Sequence, residues 1–258
     1  MTIIHDRFIH LLSPMHVGGN FEFSVVDQPI QREGHTGFPK IEASSFKGSV
    51  RHYYERVTSE EVKESQLFGS TEQAGKLTFT DASILFFPIR SAKGVYALIT
   101  CPTLLKRYSA SSNISIEDNQ ASVTSKKLCI DNNVLLDEYL YENVEEDSDF
   151  KELVSGIQGY MPEVELTDRA LLLSDDDFAY FVKNHTEIIT RTAINSEKGI
   201  VTDGALFSEE YVPMEAIFYV QIHGETKYIE LLDLDVLQIG GNMTLGKGFV
   251  KIYKGGDI

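Results

Sequence analysis

Residues 237–253 read LQIGGNMTLGKGFVKIY, and how this stretch is read decides the fold. From Gly241 it runs G-x-x-x-x-G-K-G, close to a phosphate-binding P-loop. A P-loop would make the chain an α/β nucleotide-binding protein, because that loop feeds a helix whose N-terminus holds phosphate. Two features reject this. Position 248 is Gly, so the hydroxyl that binds Mg²⁺ in a P-loop is missing. Residues 249–253, Phe-Val-Lys-Ile-Tyr, alternate and carry β-branched and aromatic side chains, which is a strand signal. The stretch is therefore strand, glycine loop, strand. Two readings of the loop stand level: bare backbone amides that approach a phosphate closely, helped by Lys247, or a tight hairpin with no ligand.

The same alternation extends over the rest of the chain. Residues 3–12 (IIHDRFIHLL) form one strand, and 76–88 (KLTFTDASILFFP) form two, with a break near Asp81. Further strands are expected at 95–100 and 217–222. Residues 187–191 and 201–211 read as two arms of a long hairpin with its turn at 195–199. A helix is expected over 44–57 with Ser44-Ser45 as cap. Its apolar stripe is Phe46, Val50, Tyr53, Tyr54 and Val57. Pro102–Tyr108 reads as a helical turn, 109–127 as a Ser/Asn-rich loop, and 231–236 as a short helical piece. One or two short helices are expected in 131–177. Many strands with few helices indicate an α+β fold, a ferredoxin-like (RRM-like) sheet with large insertions.

The chain has 258 residues, 42% hydrophobic and 24% charged, enough for one large domain with a real core. Cys101 and Cys129 form no paired motif, which fits a reducing cytoplasm and argues against a cysteine zinc site. No signal peptide or membrane span is expected. The net charge of −16 speaks against nucleic acid if it is spread evenly, but it is not. Between 131 and 177 there are 15 acids against two bases, Lys151 and Arg169; over 31–56 there are five bases against three acids. The acidity is local, and a neutral-to-basic working face remains. The acidic block reads first as a solvated surface; it can also repel a polyanion from one face or dock another protein.

Candidate chemistry begins at 25–39, VVDQPIQREGHTGFP, where two Pro and two Gly exclude a long helix or central strand. A loop this rich in polar groups is where a scaffold places working side chains, and Asp27 stands at its mouth. Lys47 and Arg51 share one edge of the 44–57 helix; they read first as exposed bases on an ordinary amphipathic helix, and alternatively as a grip on successive phosphates. Gly48, in the middle of that helix, costs about 1 kcal/mol against Ala and suggests a close neighbour. His16 sits in a turn beside Gly18-Gly19, either facing a ligand or simply exposed. Glu209-Glu210 reads as a solvated strand edge. No HExxH, GxSxG or paired-carboxylate signature is present.

Taken in order, residues 25–51, 67–69 (LFG), 75–102 and 237–253 resemble the backbone subunit of the type III-B CRISPR effector, the Cmr complex, within the RAMP superfamily. The resemblance covers nearly the whole chain and is weakest over 109–185. It implies a single RAMP domain over 1–258, with a guide-contacting helix at 44–57, a β-hairpin thumb inserted at 187–212 and a glycine-rich loop at 240–248. It implies copies stacked as a filament on a guide crRNA, with other Cmr subunits, and a thumb that splays the guide–target duplex. Asp27 matches the loop aspartate needed to cut the single-stranded target RNA; His16 is a weaker candidate helper. Lys47, Arg51, Gly240, Gly241, Gly246, Lys247 and Gly248 match RNA-contacting positions. A divalent metal, Mg²⁺ or Mn²⁺, held by Asp27, and a 2′,3′-cyclic phosphate product are expected. A non-catalytic scaffold of the same complex is the alternative. An unrelated acidic interaction protein is the reading from a different class.

Overall fold

The computed structural model describes residues 3–19, 26–57, 62–192 and 206–257. Four strands build the palm: Ile3–Leu11, Ala82–Ser91, Ile217–Gly224 and Phe249–Asp257. Across the sheet they lie in the order fourth, first, third, second, each antiparallel to its neighbour. The helix Ala43–Val57 lies between the first and second strands in the chain. A short helix, Thr226–Ile229, running into a 3₁₀ turn Glu230–Leu232, lies between the third and fourth. This is the ferredoxin-like arrangement expected from the alternation. The 231–236 segment differs in detail, since Val236 already opens the strand Val236–Gln238.

The Ala43–Val57 helix forms because Phe46, Val50 and Tyr54 recur every four residues and are all buried. Phe46 meets Phe79 edge-on at 5.8 Å between ring centroids, and Tyr54 meets Phe68 at 5.9 Å. Burying such a side chain is worth on the order of 2 kcal/mol. The stripe stops there, since Val57 is 62% exposed. Ser44 and Ser45 lie inside the first turn rather than capping it. The terminal amide of Ala43 is satisfied from outside the helix by Asp81 Oδ1 at 2.8 Å. Thus the break in the 76–88 stretch supplies the cap.

The first strand is buried on both faces from His5 to Leu11, so its polar residues need partners. Asp6 Oδ1 accepts from Tyr219 Oη at 2.6 Å and Gln221 Nε2 at 3.1 Å. Arg7 Nη1 donates to the Asp6 carbonyl at 2.7 Å, and His10 Nε2 pairs with Glu215 at 2.9 Å.

Residues 92–216 are one long insertion between the second and third palm strands. Within it Val95–Thr100 pairs in parallel with Ala170–Leu173, which pairs antiparallel with Ala121–Val123. The segment expected to be a loop therefore contains a strand, because Ala121 and Val123 pack inward. The acidic block is more ordered than its charge suggests. It holds helices Ser148–Tyr160 and Leu166–Arg169, the start of Asp175–Asn184, and the fully buried Leu171, Leu172 and Leu173. Part of its acidity serves helix ends: Asp147 Oδ1 accepts from the Phe150 amide at 2.8 Å, and Asp175, Asp176 and Asp177 sit in the first turn of their helix. Cys101 and Cys129 are free and buried. No helix among the described residues is long and apolar enough to cross a membrane.

The expected hairpin is present at its base. Glu187–Arg191 pairs antiparallel with Phe207–Tyr211 as a separate two-stranded sheet. The turn expected at 195–199 lies outside the described residues.

Candidate active site

The site is organised by the short strand Phe207–Tyr211. Successive side chains of a strand point to opposite sides. Ser208 and Glu210 serve the loop that carries Asp27; Glu209 and Tyr211 serve the glycine loop.

On the first side, residues 27–30 run alongside the strand. The Gln28 amide donates to the Ser208 carbonyl at 3.0 Å, and the Glu210 amide donates to the Gln28 carbonyl at 3.0 Å, forming a parallel bridge. Ser208 then clasps Asp27. Its amide and its Oγ both donate to Asp27 Oδ2, at 2.7 and 2.8 Å, and the Asp27 amide donates back to Ser208 Oγ at 3.0 Å. The bond from the Ser208 amide, then that from its hydroxyl, holds the exposed Asp27 carboxyl below its usual value, so it is ionised at neutral pH. Glu210, 6% exposed, anchors the next turn of the loop. Its Oε2 accepts from the Ile30 amide at 3.0 Å; its Oε1 accepts from Arg32 Nη2 at 2.5 Å and Thr186 Oγ1 at 2.7 Å. Arg32 also donates to the Gly37 and Val182 carbonyls.

On the second side, Glu209 is 4% exposed and lies among Arg191, Tyr211 and Asn242. Burial pushes its carboxyl up, but hydrogen bonds from Asn242 and Tyr211 and the Arg191 charge outweigh this and leave it lowered. The doublet expected at a solvated edge is thus buried, one carboxylate to each side. Lys247 Nζ stands 4.8 Å over the Tyr211 ring.

The glycine loop is held by backbone packing. A Cβ at Gly240 would lie 2.2 Å from the His16 carbonyl oxygen, and one at Gly248 would lie 2.0 Å from the Ile239 carbonyl oxygen. Both have positive φ, at +87° and +74°, as does Gly246 at +73°. The amides of Gly241, Gly246, Lys247 and Gly248 donate to the carbonyls of His16, Met243, Asn242 and Pro14. These four amides are committed within the chain, so they are not the bare donors that one reading of the loop expected. His16 is 7% exposed. Its Nδ1 donates to the Glu210 carbonyl at 2.7 Å, and its ring lies 5.6 Å from Tyr211. The structure therefore places it in the packing between the strand and the glycine loop.

Lys47 and Arg51 lie on the outer part of their helix, both partly exposed. Arg51 is paired with Glu64 and, at 3.6 Å, with Glu55. Among the described residues nothing comes within 4 Å of a Cβ at Gly48, so the close neighbour expected there is not found among them.

Among the described residues no group of three or more His, Cys, Asp or Glu is disposed to hold a metal ion. A single ionised, exposed carboxylate suits Mg²⁺ or Mn²⁺ of the kind that keeps its waters and takes its other ligands from substrate phosphates. Asp27 fits that role and no closed cage. Sequence patterns did not single out Ser208, Arg32, Arg191, Tyr211 or Asn242. The one available signal was the hairpin-arm reading of 201–211, since a strand puts neighbours on opposite sides without saying what lies there.

The RAMP superfamily model matches residues 8–251. The CRISPR system Cmr endoribonuclease Cmr4 of Pyrococcus furiosus is 36% identical over 274 residues, covering 95% of this chain and 93% of that protein. The crystal structure of oligomeric Cmr4 from Pyrococcus furiosus superposes with a TM-score of 0.77 at 33% identity, covering 98% of each chain. A chain of the type III-B Cmr-beta complex bound to cognate target RNA shares the fold, with a TM-score of 0.79 at 24% identity over 97% of this chain and 96% of that one. With the palm order, the two-stranded pair and the glycine loop in place, the chain belongs to the RAMP superfamily and, within it, to the Cmr4 family.

Proposed function

We propose that this chain is a repeated backbone subunit of a type III-B CRISPR ribonucleoprotein, binding the guide RNA and cutting the paired target RNA beside Asp27. The observation that carries the cutting role is the clasp: an exposed, ionised carboxylate fixed to the base of the hairpin. The name of the Pyrococcus furiosus relative, an endoribonuclease, supports the activity class.

A hairpin that splays the duplex frees one target ribose from A-form geometry. Its 2′-oxygen then lines up behind its own phosphorus. The O2′–P bond forms, the P–O5′ bond breaks, the 2′-hydroxyl proton passes to solvent water, and the departing O5′ takes a proton from water. The products are a 2′,3′-cyclic phosphate and a 5′-hydroxyl. With its carboxyl held low, Asp27 is a weak proton acceptor. Its part is to accept a hydrogen bond from the hydroxyl or an attending water and to offer negative charge at a fixed point. Asp27 is the residue that would hold a divalent ion, which would supply charge neutralisation at the phosphate. Conformational release of the ribose contributes more than either. Lys47, Arg51 and Lys247 provide cationic contacts to the guide backbone.

The test is Asp27→Ala in the assembled complex, with target cleavage followed in Mg²⁺ and in EDTA. The expected outcome is intact assembly and target binding with cleavage lowered on the order of 10²-fold or more. Full-rate cutting by that variant would leave the non-catalytic scaffold reading in its place.

A further inference from the structure

We propose that Ser208 is the positioning residue for cleavage: through Asp27 it fixes the cutting point to the hairpin strand rather than to the palm. This rests on the reading of Asp27 above. Three hydrogen bonds join the two residues, which are 181 positions apart, and Ser208 Oγ both donates to the carboxylate and accepts from the Asp27 amide. Nothing else in the strand reaches that carboxylate. Glu210, two residues on, is committed to Ile30, Arg32 and Thr186, and Glu209 points away to Asn242 and Tyr211.

The clasp is exposed, and exposed bonds of this kind add little to folding, because water replaces them when they are lost. What water cannot replace is direction. A carboxylate on a loop samples several rotamers, whereas one holding a serine hydroxyl and its amide on the same oxygen has few. Because Ser208 belongs to the strand that returns from the hairpin, the carboxylate moves with the hairpin base. The phosphate cut is then set by where the hairpin seats in the duplex.

The experiment compares Ser208→Ala, Ser208→Thr, Asp27→Ala and the double variant Ser208→Ala/Asp27→Ala in assembled complexes. It measures single-turnover cleavage at saturating target, target-RNA affinity and thermal midpoint. Ser208→Ala keeps the backbone bond and loses the hydroxyl; its cleavage rate should fall about tenfold, with affinity and midpoint unchanged, as expected for a lost hydrogen bond to a charged group. Ser208→Thr restores the hydroxyl and should return the rate to within about threefold of the parent. In the double variant the serine change should add nothing to the loss from Asp27→Ala. A wild-type rate for Ser208→Ala alongside an inactive Asp27→Ala overturns the positioning role and leaves the Asp27 reading standing. A fall in affinity or midpoint matching the fall in rate also overturns it, since that marks a structural role. Full activity of Asp27→Ala overturns the underlying reading itself.

Discussion

The two loops flanking the Phe207–Tyr211 strand are held in opposite ways. The Asp27 loop is held by side chains: Ser208 to Asp27, and Glu210 to Ile30 and Arg32. The glycine loop is held by main chain pressed on main chain, with Gly240 and Gly248 seated where no Cβ fits. A side-chain clasp leaves a carboxylate exposed and aimed. A backbone clasp leaves a rigid, nearly featureless surface carrying Lys247. The first arrangement suits chemistry at one atom; the second suits holding a polymer whose sequence must not matter.

That contrast can be broken most forcefully at Glu210. Glu210→Ala leaves Arg32 without its carboxylate and Ile30 without an acceptor, a change expected to cost on the order of 3 kcal/mol. Urea titration should show the drop, and cleavage should fall with it. On the other side, Gly248→Ala forces overlap with the Ile239 carbonyl at a positive φ and should cost about 2 kcal/mol, displacing the loop. Gly246→Ala has the same kind of φ but open space around it, so about 1 kcal/mol is expected and guide binding should survive. If the two glycine variants destabilise equally, close packing is not what holds that loop.

Acid sharpens the comparison further. Glu209 is held below its usual value of 4.5, so its stabilising contribution is complete above that pH and is lost as pH falls through the lower folded value. Stability measured from pH 6 downward should fall more steeply in the parent than in Glu209→Gln. The smallest expected effect is a gain. Gly48→Ala, at an exposed helix position with no described atom near the new methyl, should stabilise by about 0.5–1 kcal/mol in thermal melts of the free chain. Weaker guide-RNA binding by the same variant would show that the notch receives the RNA strand itself.

Much of this architecture was legible in advance. The alternation in 249–253 and the Gly at 248 excluded a P-loop, and strand periodicity placed all four palm strands. The break at Asp81 was read as an interruption, yet the same residue turned out to cap the helix at Ala43. The strand at 121–123 was missed because three residues carry too little pattern. The helices of the acidic block were expected, but its buried strand Ala170–Leu173 was missed because fifteen acids mask the leucines. His16 was read as facing a ligand or simply exposed, whereas the structure buries it against a carbonyl 194 residues away.

The sequence by itself determined where the four palm strands and the helix after the first of them lie, that a glycine loop joins two strands, and that one aspartate stands alone on a polar loop. These follow from local periodicity and from the φ limits of Gly and Pro, which act over a few residues. Only the tertiary structure decided that Ser208 grips Asp27, that Glu209 and Glu210 part to opposite sides, and that His16 lies under the glycine loop. Such pairings join positions far apart in the chain, chosen by how the hairpin base docks on the palm, and no local pattern carries that choice.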